Sequence, residues 1–326
     1  MTISQRFLCL DRRQSLKYSL RRPDALRLVP AAKAIDLMTD TITPLDALRR
    51  EIDALDAALL ELVLRRLEVS TALTEAKGVL RAPALDPARE AEIMRTLAKQ
   101  WRGPVAPSVG LRIWRELIGA LLLQQGPVSL HVADTERDVC ELARVQFGSA
   151  LPMTVYATSS MVVQALVEDP YAIGVAAAPQ SDDGQPGWWS NLAPPNGTGP
   201  RIFAKLPFFQ NDGSAVRYPS AYALGSVPIK ASGDDTTLVA VFLRSEMSRT
   251  RLAQMLKMAT LDAQIVAMGH DQPAQSPRRF LVEVAGFLSS TDSRLNALRA
   301  HSCEEIAHIS LVGAFANPVV FDGAKP

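Results

Sequence analysis

The chain has 326 residues, 48% of them apolar and 21% charged, and its 35 basic against 34 acidic residues leave a formal net charge of +1. That length supports several domains with cores of their own, and the balanced charge supplies neither a basic footprint for nucleic acid nor an acidic solvating tail. Three distant cysteines (Cys9, Cys140, Cys303), four scattered histidines and no apolar run of about 18 residues exclude a disulfide framework, a metal centre and a membrane span; a cytoplasmic protein without a cofactor is expected. Residues 1–40 are rich in arginine (Arg6, Arg12, Arg13, Arg21, Arg22, Arg27), lack a sustained period and lack the apolar core of a signal peptide. With Met38 just ahead of the first organised segment, they read as an unstructured extension.

From Pro44 the pattern changes. Leu45, Leu48, Ile52, Leu55, Leu59 and Leu62 recur at steps of three and four, and the phase continues through Arg66, Val69, Leu73 and Ala76 without Gly or Pro until Gly78. A helix of that length measures about 50 Å and outruns a small domain, so it needs a long partner such as a second subunit. Asp86-Pro87 reads as the cap and first residue of a helix to about Gln100. A third helix runs from about Ser108 to Gln125 with Leu111, Trp114, Ile118 and Leu121 on one stripe. Together they predict an all-α domain over 41–127.

After Gly126-Pro127 the order becomes mixed. Strands are expected at 128–132, 153–157 and 172–177, with helices at 136–147 and 160–168, an α/β arrangement. A Gly/Pro/Asn-rich loop fills 179–200, and its Trp188-Trp189 pair is a lid or, as we favour, simple packing. Strands at 221–224 and 237–243 and a helix at 248–259 complete the region to 275. A strand, a helix and a strand at 279–285, 292–301 and 306–314 form a short terminal unit. Gly269-His270-Asp271 reads as a turn, with no nucleophile motif beside it.

The anomaly on the long helix is Arg66, mid-helix on an apolar seam. Lys77 lies eleven residues on, about three whole turns, so it shares that face. Gln125 repeats the anomaly at i+4 from Leu121. Cations on an apolar seam without acidic partners are costly, and an anionic ligand between the helices is the simplest compensation; a register-setting polar residue is the alternative. Asp86, Arg89 and Glu90 share one helix face, which fits a second set of ligands or the ordinary charges of a helix start. Arg49 is out of phase with Arg66 and can serve such a pocket only in a second copy of the chain.

The run LRREIDALDAALLELVLRRLEVSTALTEAK followed by LDPARE resembles the all-helical chorismate mutase family. Arg49, Arg66, Lys77, Asp86, Arg89, Glu90 and Gln125 fall on that family's functional positions, while Leu121 stands where some members carry a serine. The resemblance implies an intertwined homodimer converting chorismate to prephenate. Arg66 and the second copy's Arg49 would grip carboxylates, and Lys77 and Gln125 would donate to the ether oxygen. Glu90, with the backbone near Asp86, would bind the ring hydroxyl, and Arg89 would support the carboxylate site.

The layout also resembles the bifunctional chorismate mutase–prephenate dehydratases, implying a multi-domain protein. A dehydratase-like α/β region would occupy 128–275 and an ACT-like unit, which in that family senses phenylalanine, 276–326. An aromatic amino acid effector is therefore expected. The family's Thr-Arg-Phe strand is matched to Thr236-Thr237-Leu238, without the arginine. Its Glu-Asn-Ser segment is matched to Gln180-Ser181-Asp182, and the terminal unit lacks Glu-Ser-Arg-Pro. The expected function is thus a chorismate mutase with a non-catalytic C-terminal region. The alternatives are the full bifunctional enzyme and a non-enzymatic, dimeric amino-acid-sensing protein.

Overall fold

A computed structural model describes residues 43–77, 85–133, 138–179, 187–192, 199–213, 215–244, 247–269, 279–301 and 304–321. The expected extension over 1–40, the 180–182 segment and His270-Asp271 lie outside them, as do the side chains of Lys77 and His301. The chain divides into two units, Met1–Ala58 and Leu59–Pro326.

The described part of the first unit is the start of helix α1 (Pro44–Lys77). The Asp46 amide donates to Thr43 Oγ1 at 3.2 Å, and Pro44 occupies the first helical position, where a missing N–H costs nothing. Leu45, Leu48, Ile52 and Leu55 are all exposed, Leu45 by 56%. In the second unit the rest of α1 carries Leu59, Leu62, Val69 and Leu73, also exposed, Leu62 by 68%. The predicted seam is present, and these eight apolar side chains on it are exposed.

Helix α2 (Pro87–Gln100) is capped by Asp86 and buries Ala88, Ala91, Met94 and Ala98. Ala91 and Met94 pack on Phe208, with Trp114 and Ile118 at the margin. Helix α3 (Pro107–Gln125) buries Leu111, Arg115, Gly119, Leu121 and Leu122. Its buried stripe is thus rotated from the expected line, and Trp114 and Ile118 are only half-buried. Gly119 supplies the reason: a Cβ there would stand 2.0 Å from the Phe147 carbonyl oxygen, so only glycine lets α3 approach so closely.

The α/β region opens with β1 (Ser129–Ala133), α4 (Asp138–Phe147), β2 (Met153–Tyr156), α5 (Ser159–Glu168) and β3 (Ala172–Ala177). Both β2 and β3 pair with β1 in parallel. Trp188 and Trp189 sit in a 3-10 turn and are buried in the main core, as favoured over the lid. Strands β4 (Arg201–Leu206), β5 (Phe209–Gln210) and β6 (Ala221–Gly225) follow, then β7 (Asp235–Leu243), α6 (Arg249–Met258), β8 (Ala263–Gly269), β9 (Arg279–Ala285), α7 (Ser293–His301), β10 (Ile306–Ala316) and β11 (Val319–Val320). The large sheet among the described residues has the order β2-β1-β3-β6-β4-β10-β7-β9-β8.

Two expectations change here. β7 to β10 form one β-α-β-β-α-β unit with the order β10-β7-β9-β8, its strands antiparallel at every junction. The expected boundary at 275/276 falls between β8 and β9, which are hydrogen-bonded neighbours, so this unit begins at Asp235. Thr236-Thr237-Leu238 therefore lies in its first strand. The buried Thr237 hydroxyl donates to Gly286 O at 2.7 Å and accepts from Leu288 N at 2.9 Å, a clamp on the turn after β9. Strands β4, β5, β8 and β11 were not expected; β4 begins directly after Pro200, the end of the expected loop, and stops before Pro207. Glu283 on β9 joins the two halves of the sheet, accepting from Lys205 Nζ on β4 and Tyr222 OH on β6, each at 2.7 Å. Among the described residues no helix is long and apolar enough to cross a membrane.

Candidate active site

The start of α2 gathers three of the expected site residues. Asp86 Oδ1 accepts from the Arg89 amide at 3.3 Å and its carbonyl accepts from the Glu90 amide at 3.0 Å, while its other carboxylate oxygen takes Lys230 Nζ at 2.8 Å. Arg89 is exposed and pairs with Glu92 at 2.9 Å, one turn on. Glu90 turns inward to Arg115 on α3, at 3.1 Å, with the two side chains only 15% and 6% exposed. Burial pushes the Glu90 carboxyl above its ordinary range, and the nearby Asp86 charge adds to this while Arg115 opposes it. Burial likewise lowers the Arg115 guanidinium against the pull of Glu90. With its amide oxygen toward Arg115, Gln146 accepts from Nη1 and Nη2 at 3.0 and 3.2 Å. The Phe208 ring lies 5.6 Å below the guanidinium carbon.

Arg66 is half-buried, and its Nη1 is buried with no hydrogen-bond partner among the described residues. A donor of this kind carries the full desolvation cost of its group, about 1–3 kcal/mol and more for a charge. Gln125 is half-buried at the end of α3. Arg49, in the other unit, is exposed and pairs with Asp46 at 3.3 Å. Asp86, Arg89 and Glu90 are thus neighbours at the start of α2, and Arg66 is a separate cation without a carboxylate partner among the described residues.

Sequence reasoning missed Arg115, Gln146 and the anchors of α2. Arg115 follows Leu111 by four and precedes Leu122 by seven, so an arginine on an apolar helical line was the available signal. Arg95 on α2 donates to Ser232 O and Oγ, both at 3.0 Å, to Asp234 O at 2.5 Å and to Asn317 O at 3.3 Å. With the Lys230–Asp86 pair, it fastens the helix bearing Glu90 to the segment that leads into the C-terminal unit.

Two features mark these helices: a half-buried Arg66 on the apolar seam whose Nη1 has no hydrogen-bond partner among the described residues, and the buried Glu90–Arg115 pair. Residues 48–126 match the model of the family described as chorismate mutase type II, and this stretch is a chorismate mutase type II domain. A bifunctional chorismate mutase/prephenate dehydratase of Pseudomonas aeruginosa is 28% identical over 146 residues, 43% of this chain and 40% of that protein. A 4-amino-4-deoxychorismate mutase of Streptomyces pristinaespiralis is 38% identical over 77 residues, 24% of this chain and 57% of that protein. The chain therefore spans between two fifths and three fifths of the length of these relatives. Among solved structures, prephenate dehydratase from Streptococcus mutans overlays 59% of this chain and 98% of its own, with 13% identity and a TM-score of 0.41.

Proposed function

We propose that the chain is a chorismate mutase, rearranging chorismate to prephenate in the route to aromatic amino acids. The observation that carries this reading is Arg66, whose Nη1 is buried without a hydrogen-bond partner among the described residues, inside the region that matches the mutase family. The reaction is an intramolecular [3,3] shift and needs no nucleophile, metal or general base. It needs the side chain held over the ring as a near-attack conformer and donors where negative charge develops on the breaking ether bond. Arg66 and Arg49 from a second copy bind the two carboxylates, since guanidinium forks match them. Lys77 and Gln125 donate to the ether oxygen, Glu90 and the backbone at Asp86 receive the ring hydroxyl, and Arg89 supports the carboxylate site. Purified protein given chorismate is expected to accumulate prephenate, identified by chromatography. Lys77→Ala should lose this activity by about 10²-fold or more. Persistence of chorismate would overturn the mutase reading.

The active form is an intertwined homodimer in this proposal, because α1 exposes a leucine seam that only a long partner helix can cover. Sedimentation of the full chain is expected to give a dimer, and Leu55→Asp with Leu62→Asp to give monomers; a monomeric parent would defeat the dimer. The C-terminal β-α-β-β-α-β unit is ACT-like and takes an aromatic amino acid effector, and the α/β region is not catalytic. The few scattered cysteines suit a reducing cytoplasm. The likeness to a bifunctional relative over more than the mutase stretch favours one second reading, that the chain also dehydrates prephenate. Phenylpyruvate formed without acid treatment would establish it.

A further inference from the structure

We propose that the cleft between α3, α4 and residues 207–213 and 216–220 is a binding site for a small aryl carboxylate. The cleft encloses about 620 Å³, within the roughly 300–1,000 Å³ of small-molecule sites. Part of the lining is apolar: Phe208 and Phe209 stand edge to face with centroids 5.2 Å apart, and Leu111 and Val145 join them. The same lining carries Arg112, Arg115 and Arg217, Arg115 with its guanidinium over the Phe208 ring.

The charge of Arg115 is answered by Glu90. That of Arg112 is not, because its Nη2 donates to Tyr218 OH at 2.9 Å, a neutral acceptor that orients the guanidinium without cancelling it. Arg217 is exposed at the rim. Among the described residues neither Arg112 nor Arg217 has a carboxylate partner. Asp212 also lines the cleft, but its Oδ2 accepts the Ser108 amide at 2.9 Å and serves the first turn of α3. The lining therefore combines an excess of positive charge with aromatic side chains.

An arylcarboxylate satisfies both kinds of lining, with its carboxylate on the Arg112 and Arg217 forks and its ring against the Phe208 and Phe209 side chains. Inorganic phosphate would leave the apolar side chains bare, and an uncharged aryl alcohol would leave the arginines unanswered. The cleft shares Arg115 and Gln146 with the packing around Glu90, but Arg66, Lys77 and Gln125 are not on its lining, and binding here is independent of the mutase reading.

Calorimetric titration of the full chain tests this, with phenylacetate, benzyl alcohol and inorganic phosphate as probes. Phenylacetate is expected to bind at least about tenfold more tightly than the other two, one charge-assisted contact being worth about that factor. Arg112→Gln with Arg217→Gln should weaken it by a further factor of about 10 or more. Val145→Trp, which fills the cleft and leaves the arginines in place, should abolish it, with melting curves confirming that both variants are folded. No binding of phenylacetate, equal binding of phosphate, or unchanged affinity in both variants would each overturn the proposal.

Discussion

Arg66→Leu is expected to leave the melting temperature unchanged or raised while slowing chorismate rearrangement by about 10²–10³-fold or more, the cost of removing one preorganised donor. The two halves of this expectation have one physical source. In the free chain the buried Nη1 has lost water and gained no acceptor among the described residues, so an apolar side chain on the seam removes a penalty instead of an interaction. In the proposed substrate complex the same nitrogen would meet a carboxylate, and the penalty already incurred in folding would become preorganisation. Stability and activity should therefore move in opposite directions, which a purely structural role for Arg66 cannot produce. A steady-state rate and a thermal melt on the same preparation suffice. If activity survives in the leucine variant, Arg66 is a register device and the anion pocket fails. If stability and activity fall together, Arg66 holds the helices instead of the substrate.

Arg66 was legible because an arginine interrupts an otherwise unbroken leucine period, and the seam itself set the bounds of α1 closely. The start of α2 was legible for a similar local reason, since Asp86-Pro87 is both cap and first turn. Arg115 was not. Helix α3 offers two apolar lines, and the choice between them depends on how closely Gly119 lets the backbone approach Phe147, which is a tertiary contact. Arg95 escaped notice because its acceptors lie 137 to 222 residues away. The reach of the C-terminal unit was misjudged because β8 has few β-branched residues and follows α6 closely, so β7 and α6 were grouped with the sheet before them instead of the strands after them.

Arg115→Gln should be strongly destabilising, and its damage should depend on pH. Removing one partner of a buried ion pair costs about 3–5 kcal/mol, because the remaining charge is left without compensation. Here that charge is Glu90. Its carboxyl already titrates above the ordinary range through burial and the Asp86 charge, and Arg115 is what holds it down. Without Arg115 the folded-state value rises further while the unfolded value stays put. A group raised in this way contributes stability that is fully present below its unfolded pKa and lost as pH rises through its folded pKa. The deficit of the variant should therefore be smallest well below the ordinary glutamate value of 4.5, where Glu90 is protonated in both states, approaching the ~1 kcal/mol of a lost hydrogen bond. It should grow through neutrality as folding forces a proton onto Glu90 or leaves its charge buried. Urea unfolding at pH 5 and pH 8 reads this directly, and Glu90→Gln combined with Arg115→Gln isolates it, because the double variant has no carboxyl to titrate and should lose the pH-dependent part. An equal deficit at both pH values, or one that persists with the same slope in the double variant, would show that Arg115 acts through its packing on Phe208 and not through Glu90.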